Sequence, residues 1–325
     1  NVKQCLEDAM KELSMWLNQR HSLQKKKQLL KYYGQTINCL ISLEKILTNI
    51  SDKKYQEQIT LAERAAMQYN QLKFSISKCD SLTRPEQTLQ YNDIGGKLTQ
   101  TLNDLLFKFW IDNDEENLLK ALVSLNTLDR VLETEMLIRK RAVAPLLQNI
   151  INEPSLQRSK DGLQGIYDRI LHLLETKLKL LLKLMQHSKL TVFKRKYNFL
   201  VNCFWCEVET RLEVNLASIF APGNPKIFYR RYSESMIFIK KLQEYCTDEQ
   251  MVNLLHETTE YKNFQRRWNL PVYFQIRFQE IADKKDGLLL KETYNCWTAL
   301  QECWSDGVFI EALGHKFWKL SLQIL

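Results

Sequence analysis

The sequence predicts an all-α chain folded as stacked antiparallel helical bundles. Three observations predict it. Glycine (9) and proline (6) are scarce in 325 residues, against ordinary usage of about 7% and 5%, and barrels, sandwiches and doubly wound folds need more turns than that allows. Leu, Lys, Gln and Glu dominate, the residues a helix prefers. Apolar residues recur in three- and four-residue steps through most of the chain, the spacing of one helix face. The length allows two or three domains and a sizeable core.

Residues 1–50 read as one long helix, the end of an N-terminal coiled coil. Leu6, Met10, Leu13 and Leu17 alternate four- and three-residue steps, which is a coiled-coil seam. They are the candidate partner-binding residues, because a stripe at this end has few neighbours from its own chain to cover it. The seam weakens at Arg20, Gln24 and Lys25-Lys26-Lys27, then resumes through Leu30, Tyr33, Ile37, Leu40, Leu43, Leu47 and Ile50. Ser51-Asp52 is placed to cap a second helix. Its stripe runs Tyr55, Ile59, Ala62, Ala66, Tyr69, Leu72 and Ile76, with alanines where helices can approach closely. After a break at 81–85, the next helix contains Gly95-Gly96. Each glycine costs about 1 kcal/mol in a helix, so the pair predicts a kink or a close contact. Asp112-Asn113-Asp114 ends that helix and caps another, whose face is Leu118, Leu122 and Leu125. Val131, Leu132 and Ile138 continue beyond it. Residues 152–162, with Pro154 and two serines, give the strongest linker signal. The expected partition is therefore the long helix, a first bundle over 51–156 and a second over 157–325.

The second half restarts with a Leu/Lys helix from 163 to about 187, and another is expected from about 194 to 220. Ala221-Pro222-Gly223-Asn224-Pro225 is a sharp corner, with Pro225 able to start the next helix. Thr247 and Gln250 have capping-box spacing for a short helix. The most apolar stretch runs from Arg267 to Ala282. Val272, Phe274, Ile276 and Phe278 alternate there in the period of a strand. No second run could pair with such a strand, so a helix is expected. Pro271 suits its first turn, Asn269 its cap and Trp268 a hydrophobic staple. Its apolar residues cover most of the circumference, which predicts packing on several sides, with Phe278 in the core. The last helix carries Phe309, Leu313, Phe317, Leu320 and Ile324.

Composition and motifs argue against most chemistry. The net charge of +8 is diffuse and too weak to imply nucleic acid. No signal peptide stands at the start and no apolar run nears the roughly 18 residues of a membrane span. Asn1 is not an initiating methionine, so the chain reads as part of a longer protein. The eight cysteines read as reduced cytosolic thiols, and the Asn49-Ile50-Ser51 sequon as unused. Cys203-Phe204-Trp205-Cys206 has metal-ligand spacing but no second pair, so these cysteines read as packed small hydrophobes. His256-Glu257-Thr258-Thr259-Glu260 imitates a zinc-protease helix without its second histidine. Gly95-Gly96-Lys97 lacks the upstream glycine and the hydroxyl of a phosphate loop. No metal, cofactor or catalytic residue is expected. Lys177, Lys179 and Lys183, and Arg230-Arg231 with Lys240-Lys241, leave one alternative: a basic helical module that binds acidic lipid or RNA.

The stretch Trp268-Asn269-Leu270-Pro271-Val272-Tyr273-Phe274 and its continuation to Ala282 resembles a signature of a known family. That family is the second subunit of the conserved oligomeric Golgi complex, a multisubunit vesicle tether. The resemblance extends to Gln68-Tyr69-Asn70-Gln71-Leu72-Lys73-Phe74, Tyr197-Asn198-Phe199-Leu200-Val201-Asn202, Phe220-Ala221-Pro222-Gly223-Asn224-Pro225, Cys303-Trp304-Ser305-Asp306 and Phe317-Trp318-Lys319-Leu320. These are packing and corner residues. They identify a family without exposing chemistry. The resemblance implies an elongated helical rod of the tethering-complex type, non-enzymatic, on the cytosolic face of Golgi membranes. It implies a role in retrograde transport beside subunits one, three and four, with SNAREs, Rab proteins and coiled-coil tethers as further partners. One departure is that the family usually has more sequence after Ala282, where Asp283-Lys284-Lys285-Asp286-Gly287 follows at once.

Overall fold

The computed structural model describes residues 2–50, 52–283 and 289–324. It is 85% helical, with no strand among the described residues, so the helical reading of the stretch after Asn269 holds, over Leu270–Asp283. The expected loop after Ala282 lies outside the described residues. The chain forms two compact units, one of residues 1–134 with 183–197 and one of 135–182 with 198–325. The division therefore falls at Glu135 rather than in 152–162. There Asn152 caps a short helix, Glu153–Arg158, by accepting from Ser155 N–H at 2.8 Å. That helix packs on its own neighbour, Gly162–Leu173, so these residues are part of the second unit's fabric. The 1–50 helix is likewise part of the first unit.

In the first unit, α1 (Val2–Ile50) and α2 (Tyr55–Cys79) form an antiparallel hairpin. Ser42 Oγ donates to Gln68 Oε1 at 3.1 Å, while Thr36 Oγ1 lies 3.6 Å from Cys79 Sγ, so the register runs oppositely along the two helices. The expected seam is buried in part: Leu40, Leu43 and Ile50 of α1 and Ile59, Ala62, Ala66, Tyr69 and Leu72 of α2 are core, while Leu30 and Tyr55 are exposed. The cap of α2 is corrected. Lys54, not Ser51-Asp52, occupies that position, with no side-chain hydrogen bond. Helix α3 (Pro85–Ile111) lies against both. A Cβ on Gly95 would come within 2.8 Å of Tyr69 Cζ and closer to its hydroxyl. This glycine is therefore a close contact, and Tyr69 stacks on Tyr91 at 4.7 Å. Asp114 caps α4 (Glu115–Thr127) by accepting from Asn117 N–H at 3.2 Å. Asn113, at φ 54°, makes the turn. The chain returns to this unit at 183–197, where Tyr197 Oη donates to the Leu122 carbonyl at 3.0 Å.

The second unit begins inside α5 (Val131–Ile138), which runs through a π segment, Arg139–Val143, into α6 (Ala144–Ile150). After α7 (Glu153–Arg158), α8 (Gly162–Leu173) passes through a second π segment into α9 (Lys179–Met185). The helix expected over 194–220 is broken. A short α10 (Ser188–Thr191) is followed by irregular chain, then a π segment over Phe199–Trp205, then α11 (Cys206–Asn215). Asn224 caps α12 (Pro225–Gln243), with Pro225 at its first position as expected. Asp248, not Thr247, caps α13 (Glu249–Glu257), accepting from Met251 N–H at 2.8 Å. Next come α14 (Thr259–Arg267), α15 (Leu270–Asp283), α16 (Leu289–Cys303) and α17 (Gly314–Ile324).

The core of this unit is aromatic and also holds charge. Trp268, 2% exposed, presents its faces to Phe220, Phe228, Tyr232 and Phe264, with ring centroids 4.8 to 6.2 Å away. Beside it, Arg267 forks between Glu209 and Glu213 of α11, each at 2.6 Å. Burial pushes the Glu209 carboxyl above its usual range, and the Arg267 guanidinium opposes that shift. Asn269 caps α15 by accepting from Val272 N–H at 3.4 Å.

The buried line of α15 is Tyr273, Arg277 and Ile281, at four-residue steps. Arg277 satisfies its head with Tyr273 Oη at 3.3 Å, Glu280 Oε2 at 2.8 Å and the Gly307 carbonyl at 2.9 Å. Phe278 is not core. One residue on from Arg277, about 100° round the helix, it is 38% exposed. Phe278→Ala is therefore expected to cost about 1 kcal/mol, well under the ~3–5 of a buried phenylalanine. Denaturant unfolding of the variant checks this.

Candidate functional site

The candidate residues Leu6, Met10, Leu13 and Leu17 are 55 to 64% exposed. From Lys3 to Gln28 every residue of α1 with a described side chain is exposed, and the first buried one is Thr36. Helical spacing places the four on one face. Sequence reading missed two neighbours of this stripe: Trp16 and Leu23 are 60% and 65% exposed and lead in seven-residue steps to Leu30, at 64%. Their heptad spacing was the available signal. The seam leaves Leu, Met and Trp side chains in water, and apolar side chains gain about 25 cal/mol per Å² when covered.

The chemical look-alikes resolve into structure. Cys203 and Cys206 are 0% and 7% exposed, and Cys203 Sγ donates to the Glu135 carbonyl at 3.2 Å. Burial pushes both thiols up, Cys206 to about 12, so they remain protonated and pack as small hydrophobes. The pseudo-protease motif lies across a helix break: α13 ends at Glu257 and Thr258 caps α14, accepting from Tyr261 N–H at 3.2 Å. Much of the basic surface is already matched. Lys183 meets Glu115 at 2.7 Å, Lys241 meets Asp168 at 3.4 Å, and Arg231 donates to the Ser218 carbonyl at 3.0 Å. Among the described residues there is no group of three or more His, Cys, Asp or Glu able to hold a metal. No described helix is long and apolar enough to cross a membrane.

Comparison with known proteins adds to these features. The family model described as "COG complex component, COG2, C-terminal" matches residues 266–325. That span contains the Pro271 corner and α15 to α17. Three relatives are named conserved oligomeric Golgi complex subunit 2. The Drosophila melanogaster protein is 35% identical over 81% of this chain and 40% of its own length. The Homo sapiens protein is 28% identical over the whole chain and 48% of its own length. The Arabidopsis thaliana protein is 26% identical over 83% of this chain and 39% of its own length. The chain thus spans less than half the length of these relatives. No solved structure matches it. The Trp268–Pro271 corner and its capped helix fall within the segment that the family model matches, and the chain is similar to conserved oligomeric Golgi complex subunit 2 over most of its length.

Proposed function

We propose that the chain is a non-enzymatic structural part of a Golgi vesicle-tethering complex. It supports retrograde intra-Golgi transport and Golgi organisation through protein–protein contacts. The carrying observation is the uncovered seam of α1, in a chain whose relatives are named as subunits of one complex. Other subunits of that complex, especially one, three and four, cover the seam. SNAREs, Rab proteins and coiled-coil tethers are reached from the assembled complex, which sits peripherally on the cytoplasmic face of Golgi membranes.

Glutamate at Met10, Leu13 and Leu17 tests the reading. Charge in a seam that excludes water costs on the order of 1–3 kcal/mol per site, so co-purified partner subunits should fall at least about tenfold when the triple variant is made in the full-length protein. The 325-residue chain should keep its melting temperature, because all three side chains are already in water. A variant chain that unfolds would assign the stripe to the internal core. Unchanged partner recovery would place the joint elsewhere.

A further inference from the structure

The geometry points to a second binding site, a groove between α12 and the 309–312 segment that takes an arginine side chain presented by a short, partly apolar peptide of a partner protein. Tyr229, Tyr232 and Met236 line one wall from α12, with Ile237 at its rim. Phe309 and Glu311 line the other. The groove holds about 600 Å³, within the roughly 300–1,000 Å³ of ligand sites. All of it belongs to the second unit, so it does not depend on the α1 seam.

Charge decides the occupant. Among the described residues lining the groove, Glu311 alone is charged, and no ion pair or side-chain hydrogen bond reaches it. An acidic ligand would meet its repulsion. A purely apolar ligand would bury the carboxylate unpaired, which is costly. A cation removes that penalty. Arginine suits better than lysine because its planar guanidinium lies on aromatic rings while bonding a carboxylate through two N–H groups. The phenol oxygens of Tyr229 and Tyr232 have no hydrogen-bond partner among the described residues, and each can accept a remaining guanidinium N–H. Burial, then Tyr261 and Glu311, raise the Tyr232 phenol above its ordinary range, which keeps it neutral. The walls are held in advance of binding. Tyr232 stands edge-on to Trp268 at 5.4 Å, and Phe309 is braced by Trp304 at 5.0 Å and Phe317 at 5.9 Å. A site already in its bound shape loses less entropy on binding. Ile237, 48% exposed, extends the apolar lining toward a residue next to the arginine.

The test titrates the 325-residue chain, methyl-labelled at isoleucine and methionine, with four capped pentapeptides of core Leu-Arg-Leu, Leu-Lys-Leu, Leu-Gln-Leu and Leu-Glu-Leu. The Arg peptide should shift the Ile237 and Met236 methyl signals and bind most tightly, the Lys peptide more weakly. The Gln and Glu peptides should not bind at matched concentration. Glu311→Gln, an exposed and nearly isosteric change, should weaken the Arg peptide about tenfold, the worth of one charge-assisted pair near 1.4 kcal/mol. Tyr229→Leu keeps apolar volume and should erase the preference for Arg over Lys. Melting temperatures show that both variants fold. Equal binding of the Arg and Gln peptides, undiminished binding by Glu311→Gln, shifts confined to other methyl groups, or no shift with any peptide would each overturn the proposal.

Discussion

Arg267→Met lowers stability by about 3–5 kcal/mol at neutral pH, as expected when one partner of a buried ion pair is removed. The partner left behind is Glu209, whose side chain is 4% exposed and 2.6 Å from the guanidinium. The loss depends on pH, with a sign set by that carboxyl. Its folded-state pKa is raised, burial first and Arg267 opposing. A raised carboxyl holds its proton longer in the native than in the unfolded chain, so its contribution falls as pH rises from the ordinary carboxylate range through the folded value. Without Arg267 the folded value rises further and the falling window widens. Denaturant unfolding at about pH 4, near the ordinary glutamate value, and at pH 7 measures it. The penalty should be small at the lower pH and full at the higher. Equal penalties would mean that the ionised Glu209 carboxylate is not what makes Arg267 stabilising.

Trp268→Ala should cost a similar amount, about 3–5 kcal/mol. Its indole fills the space among Phe220, Phe228, Tyr232 and Phe264, and alanine leaves a cavity that four rings cannot close together. Trp268→Phe separates packing from polarity. The indole N–H is buried with no acceptor among the described residues, so phenylalanine removes an unpaired donor while keeping most of the ring. Its cost should be well below that of alanine, as read by denaturant midpoint and near-ultraviolet circular dichroism. A Phe variant as unstable as the Ala variant would mean that the N–H is satisfied and that the fit is specific to the indole.

The fold class was legible because glycine and proline were too few for another architecture, and because helix caps are short-range chemistry. The Asn269-Leu270-Pro271 and Asn224-Pro225 corners stand where the residues placed them. Misreadings arose where one property was shared by neighbours or overridden by tertiary contact. Thr247 and Asp248 are both good caps, and the structure uses Asp248. Counting apolar residues on α15 favoured Phe278, because a buried stripe was not expected to contain a cation. Arg277 is there because Tyr273, Glu280 and the Gly307 carbonyl satisfy it, and two of these lie within four residues. The π segments over 174–178 and 199–205 shift the helical phase without any Gly or Pro to announce it, whereas Pro145 follows closely on the first, Arg139–Val143. The exposed seam was visible at Leu6 to Leu17, but that it lies uncovered needed coordinates. The Glu311 groove was invisible, since its walls come from positions some 75 residues apart.

The bare half of α1 has a thermodynamic consequence. Helical hydrogen bonds alone scarcely outweigh the disorder available to a chain in water, and most helices borrow their stability from what they touch. Up to Gln28 this helix touches little of its own unit. On the proposed function, the partner that covers Leu6 to Leu17 also sets how completely that segment is helical, and its affinity carries the cost of that ordering. Residues pointing away from the seam thereby acquire leverage over assembly. Replacing Asn18 by alanine, a better helix former, would tighten association without adding one contact, and a glycine there would loosen it.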